Sequence, residues 1–145
     1  MMGSVGPVEL VLWGLILIVF LIPLLPKIFY LLTLQKAFNK CAAGNRTMSP
    51  GLVWLLLIPL FDLIWHFFVV RNIADSLGRE FQARGVAAEP NPGRELGYAM
   101  CALNAAIVIP FIGILAALAG FVCWVMYWVK VSQFSAKLDQ RAPAA

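Results

Sequence analysis

The chain has 145 residues, the length of one domain, and 62% of them are hydrophobic against 12% charged, a balance that ordinary soluble domains do not keep. Charge is also segregated: none lies between Glu9 and Lys27, between Arg46 and Asp62, or in the 34 residues between Glu95 and Lys130. Apolar runs of that length suit a hydrocarbon layer about 30 Å thick, which excludes a soluble enzyme, a nucleic-acid module and a disordered tail. The net charge of +4 gathers at the ends of apolar runs and in loops, a placement that orients a chain in a membrane.

The opening MMGSVGPVEL carries Glu9 and lacks a basic stretch, and no small-x-small cleavage site follows. It therefore predicts a retained membrane helix and not a cleaved signal. Gly6-Pro7, Ser49-Pro50 and Asn91-Pro92 each open a long apolar segment. Proline suits the first helical position, and Ser or Asn before it can cap the free amides. These prolines recur at intervals of 43 and 42 residues. The inner steps Ile22-Pro23, Ile58-Pro59 and Ile109-Pro110 are unevenly spaced, which favours common membrane-helix grammar over three related units. Each inner proline removes an i to i−4 bond and should bend or break its helix.

A first helix is expected over 8–34. Its uncharged run Leu10–Pro26 covers roughly 26 Å, a marginal span that borrows from the amphipathic stretch after it. A second is expected over 50–72, extending to 84. In that extension Ile73, Leu77 and Phe81 form an apolar stripe, and Arg71, Asp75 and Arg79, with Glu80 and Arg84, stand four apart as solvated pairs. The last apolar run would make a straight helix of about 51 Å, so Pro110 and Gly113 near its middle predict a hairpin, helices 94–109 and 113–131 with the latter extending to 138.

Reversal near residue 112 would set Cys101 level with Cys123 and Asn104 level with Gly120. It would also bring Tyr98 near Trp124, Tyr127 and Trp128, an interface belt beside Lys130. Gly113, Ala116, Ala117 and Gly120 have the small-xxx-small spacing that lets backbones approach, and packing within the hairpin is preferred to a dimer face.

The fold expected is thus an all-α integral membrane protein, one helical domain over 1–145 with four Pro-kinked transmembrane helices and a C-terminal hairpin. The amino terminus, the 71–95 loop and the tail would share a side holding Arg71, Arg79, Arg84, Arg94, Lys130, Lys137 and Arg141. Lys36, Lys40 and Arg46 would lie opposite, which puts both termini in the cytoplasm. A rival topology turns the chain at each Ile-Pro step, giving three hairpins whose basic ends all face the cytoplasm. It accounts better for Lys36, Lys40 and Arg46, but its arm Pro50–Ile58 would be only about 13 Å long and re-entrant.

Asp62 and His66 are the titratable pair inside an apolar segment, and at i and i+4 they share a helix face. Such groups mark pathways or relays when they line one. The plainer expectation is that Asp62 caps backbone freed by Pro59 and His66 bonds to it. Asn104 can bond across to the facing arm, and Lys27 can snorkel to an interface. Cys41, Cys101 and Cys123 have no metal-ligand spacing. Neither a catalytic set nor a cofactor or metal motif is present, so no enzyme activity is expected.

The runs Pro50 to Phe61, then Asp62, Trp65 and His66, and the closing Cys123 to Lys130 resemble a group of small bacterial multipass proteins classed only as a domain of unknown function. The resemblance covers about 31–138. It implies a bacterial inner-membrane location, carries no activity, and often has an amide where Asp62 stands. Packing and interface signals thus point to a non-catalytic subunit or scaffold of a membrane complex. Its partners would be the lipid bilayer and either further copies or other membrane subunits, not nucleic acid. The alternatives are an oligomeric channel or transporter with Asp62 and His66 in its path, and a membrane-shaping or membrane-sensing protein working through 71–84 and 130–140.

Overall fold

A computed structural model describes Gly3 and residues 5–140, and every regular element among the described residues is a helix. Helix α1 runs Pro7–Lys40, a 3-10 helix Pro50–Leu57, α2 Phe61–Arg84, α3 Arg94–Ala106 and α4 Gly113–Asp139. Arg141, counted above toward the charge bias, lies outside the described residues. The chain divides into a unit Met1–Tyr30 and a unit Leu31–Ala145.

In the first unit α1 begins at Pro7, as its Gly-Pro opening predicts, and the Glu9 carboxylate accepts the Gly6 amide at 3.2 Å. An acidic group in the first turn also complements the helix dipole. From Val8 to Leu25 every side chain is exposed and, Glu9 apart, uncharged; only Gly14 is half-buried. The expected bend at Ile22-Pro23 does not end the helix, which continues through Pro23 and Pro26. Each proline removes one ladder bond, and the apolar turns on both sides keep theirs, so cooperativity carries the helix across.

In the second unit the chain reverses at two of the three Ile-Pro steps. The single helix expected over 50–72 is broken. Pro50–Leu57 is a 3-10 helix, Ile58 to Leu60 turn the chain, and α2 starts at Phe61. The Ser49 side chain makes no cap bond, nor does a side chain cap α3, whose Gly93 stands before it with φ 73°. The C-terminal hairpin forms as expected, with the turn over 107–112 and α3 packed along α4.

Small residues set the spacing between these helices. A Cβ on Gly97 would stand 2.4 Å from Val70 Cγ1 and 2.9 Å from Tyr127 Cε2, so α2, α3 and α4 meet at this glycine. A Cβ on Gly120 would come within 2.8 Å of Asn104 Oδ1, and one on Gly113 within 2.7 Å of the Ile107 carbonyl. With Ala116 also buried, most of the small-residue stripe of α4 is consumed inside the hairpin.

Two helices, α1 and α4, are long and apolar enough to cross a membrane, in place of the four expected. The other two fail for separate physical reasons. The second half of α2 carries Arg71, Asp75, Arg79, Glu80 and Arg84. With 13 residues, α3 rises only about 20 Å, short of the ~30 Å of hydrocarbon.

Candidate functional site

Three helix C-termini converge on one side chain. The Arg84 guanidinium, in the last turn of α2, donates from Nε to Glu80 Oε1 at 2.7 Å. Its Nη1 donates to the Leu138 carbonyl at 2.7 Å and its Nη2 to the Lys40 carbonyl at 2.8 Å. A cation placed among the last carbonyls of α1 and α4 answers the negative ends of both dipoles. Its partner Glu80 is wholly buried, and the Ala42 amide and the Asn45 side-chain amide both donate to Oε2, at 2.8 and 2.7 Å.

Burial alone would raise the Glu80 pKa. The hydrogen bonds from Asn45, Ala42 and Arg84, with the Arg84 charge, outweigh it and hold the carboxyl below its ordinary value. Lys40 Nζ adds a bond to the Ser135 carbonyl at 3.0 Å and an ion pair with Asp139. Nearby, Arg46 caps the end of α1 through the Cys41 and Asn39 carbonyls, and the Thr47 amide bonds Ser76 Oγ at 3.0 Å. Burial pushes the Cys41 thiol up to about 12, so it is protonated and a weak nucleophile.

This hub corrects two expectations. Glu80 and Arg84 pair as their spacing predicts, but the pair is buried, with side-chain exposures of 0% and 6%, and not solvated. Lys40, placed across the membrane from the tail, instead touches the tail through Asp139 and Ser135. The position of all these charges at helix ends was the available signal. Periodicity on a single helix does not show that three such ends meet.

Two further ion pairs fix the base of the hairpin. Arg94 at the start of α3 pairs with Asp75 on α2, and Lys130 on α4 pairs with Glu89 at 2.8 Å. A cavity of 520 Å³ lies between them, lined by residues that include Gly93, Glu95 and both members of the second pair. Its lining carries two acidic and two basic residues, Glu89 and Glu95 with Arg94 and Lys130, so its charge does not select an anion or a cation.

The opposite end of this unit holds the two turns. Both place a bulky residue after proline at positive φ: Leu60 at φ 67° and ψ −46°, the centre of a γ-turn closed by the Phe61 amide on the Pro59 carbonyl, and Phe111 at φ 69°. Glycine would adopt this at little cost, whereas a branched or aromatic side chain stores on the order of 1–3 kcal/mol of strain. Leu60 is 81% exposed and Phe111 fully so.

Asp62 begins the first turn of α2 two residues after Leu60, and its carboxylate lies 3.6 Å from His66 Nδ1. The imidazole is 8% exposed and the carboxylate 25%. The Asp62 amide bonds the Ile58 carbonyl at 3.0 Å, and Leu60, the residue before α2, makes no side-chain cap bond. Asn104 lies against Gly120 in the hairpin. Among the described residues no group of His, Cys, Asp and Glu is disposed to hold a metal ion.

The belt residues separate by role. Trp124 and Trp128 pack with ring centroids 5.4 Å apart, and Trp128 Nε1 donates to Thr33 Oγ1 at 2.9 Å. Trp54 Nε1 donates to Gln35 Oε1 at 3.0 Å, so two indoles meet the second unit's part of α1 at nearly one level. Tyr98 packs on Phe67, while Tyr127 is wholly buried over Gly97 instead of standing at a surface. The thiols of Cys101 and Cys123 are free. No family model, curated protein or solved structure matches this chain.

Proposed function

We propose that the protein is a bacterial inner-membrane protein that acts as a non-catalytic subunit or scaffold of a membrane complex. Helix α1 crosses the bilayer, and the ionic end of the second unit lies on the cytoplasmic side. One observation carries this reading: the buried charges are engaged with one another and with helix ends at the hub, whereas α1 from Val8 to Leu25 presents uncharged side chains all round, Glu9 apart. A surface of that kind is satisfied by lipid and by neighbouring membrane helices.

The experiment is a mild-detergent pull-down of the tagged protein from its native membrane, followed by native mass spectrometry. A stoichiometric foreign partner supports the subunit reading. Robust solute flux by the purified protein alone in liposomes overturns it.

One observation favours a second reading, an oligomeric channel or transporter. Asp62 and His66 face each other in an apolar stretch of α2, the arrangement that a proton or ion relay requires. Flux that survives Asp62→Asn and His66→Gln unchanged removes both residues from the mechanism.

A further inference from the structure

We infer that the two Ile-Pro turns are tips immersed in the bilayer, so that each hairpin enters from the ionic side and returns to it. The ligand of Leu60 and Phe111 is then the acyl-chain interior of the membrane. The inference rests on the membrane reading above and extends it to an interaction surface, with α4 re-entrant and not spanning.

Four observations converge on it. The first is composition: Leu57 to Phe61 and Ile107 to Ile112 hold no polar side chain, and every residue in both turns is exposed. Turns that face water draw on Gly, Asn, Asp and Ser. Exposure here runs round the whole turn instead of along a stripe, which suits a solvent and not a one-sided partner.

The second is partial backbone closure: hydrocarbon tolerates few open amides, and most donors of the two turns are bonded, those of Leu60, Phe111 and Ile112 excepted. In the first turn the amides of Ile58, Phe61, Asp62 and Leu63 bond carbonyls of Leu55, Pro59, Ile58 and Leu60. In the second, those of Ile107, Val108 and Ile109 bond Asn104, Ala105 and Ala106. Pro59 and Pro110 bring no donor at all.

The third is length. The 3-10 arm Pro50–Leu57 has 8 residues, about 16 Å at its rise, and the α3 arm covers about 20 Å. Neither crosses ~30 Å of hydrocarbon. The fourth is the location of the charges. Arg94 with Asp75 and Lys130 with Glu89 hold both feet of the second hairpin at one end. Asp62, the one carboxylate near a tip, is turned to His66.

The test uses full-length protein reconstituted in liposomes, with nitroxide at Phe111→Cys and, separately, at Lys137→Cys, in a chain whose three cysteines are alanine. Collisions with oxygen and with a water-soluble nickel chelate are compared. The expected result is a Phe111 label reached by oxygen and not by nickel, and a Lys137 label reached by nickel. Access of nickel to the Phe111 label from the side opposite Lys137 means that α4 spans; the inference falls and the membrane reading stands. Low collision with both reagents means that a protein, a second copy included, covers the tip, which also overturns it.

Should the alanine background fail to fold, hydroxyl-radical footprinting of the unmodified protein in liposomes replaces it. Loss of labelling at Leu60 and Phe111 is expected, and strong oxidation there overturns the inference. Release of the protein from membranes by alkaline carbonate defeats both readings together.

Discussion

Arg84 Nη2 donates to the carbonyl of Lys40 at 2.8 Å, across 44 residues of sequence. Through this bond and its counterpart to Leu138, one guanidinium ties the ends of three helices. Arginine is suited to this because its planar fork presents several donors at fixed angles, which a lysine ammonium lacks. Arg84→Met leaves the Glu80 carboxylate buried without its cation and should cost about 3–5 kcal/mol. Arg84→Lys should recover only part of that loss. Denaturant unfolding in bicelles measures both, and an Arg84→Met chain as stable as the parent would deny the hub its role.

The depressed pKa of Glu80 has a consequence for acid stability. A carboxyl held below its ordinary value contributes stability that is fully present above its unfolded pKa of about 4.3. That contribution is lost as pH falls through the still lower folded value, because protonation breaks the bonds from Asn45, Ala42 and Arg84. Glu80→Gln should therefore be less stable than the parent at neutral pH, with the gap narrowing as pH drops below 4. Melting temperatures of the two chains from pH 7 to pH 3 give the comparison, and a constant gap would count against it.

Glycine substitutions should fall in a fixed order. At Gly97 a methyl group meets both Val70 and the buried Tyr127 ring, so Gly97→Ala should cost about 1–3 kcal/mol through overpacking. At Gly120 the obstacle is the end of the Asn104 side chain, which can rotate away, so the cost is smaller. Gly14 has nothing within 4 Å, and Gly14→Ala should be neutral or slightly stabilising. Helical signal against temperature in detergent ranks the three; a Gly97→Ala chain that melts with Gly14→Ala would remove the close approach.

Strain at the tips separates folding from insertion. Phe111→Gly relieves the positive-φ backbone and should leave the hairpin intact in detergent, while it gives up roughly 1.5–3 kcal/mol of apolar transfer in a bilayer. Partitioning between bicelles and detergent micelles should shift toward the micelle for this variant. An equal partition for both chains would show that the Phe111 ring meets no hydrocarbon.

Much of the helical architecture was legible because local rules govern it. Pro7 marks the start of α1, and the stripe of Ile73, Leu77 and Phe81 is the buried face of α2. Pro110 with Gly113 marks a reversal in a helix too long for its surroundings. The three Ile-Pro steps were harder, because proline deletes the same bond at each. Pro23 is carried through by the helical turns around it, while Pro59 and Pro110 become turns.

Composition and charge spacing by themselves determined that the chain is helical, apolar and divided into runs fit for hydrocarbon, since hydropathy and proline placement act over a few residues. Which charges meet was decided only by tertiary structure. Lys40, Glu80, Arg84 and Asp139 come from three helices, and each position alone is consistent with a solvated end. Assembly turns two of them into a buried pair, because the converging carbonyls and the Asn45 amide replace the water that Glu80 and Arg84 give up. The same assembly sets Lys40 beside the tail and exposes Leu60 and Phe111 at the turns, outcomes that depend on where helices stop and not on what each one contains.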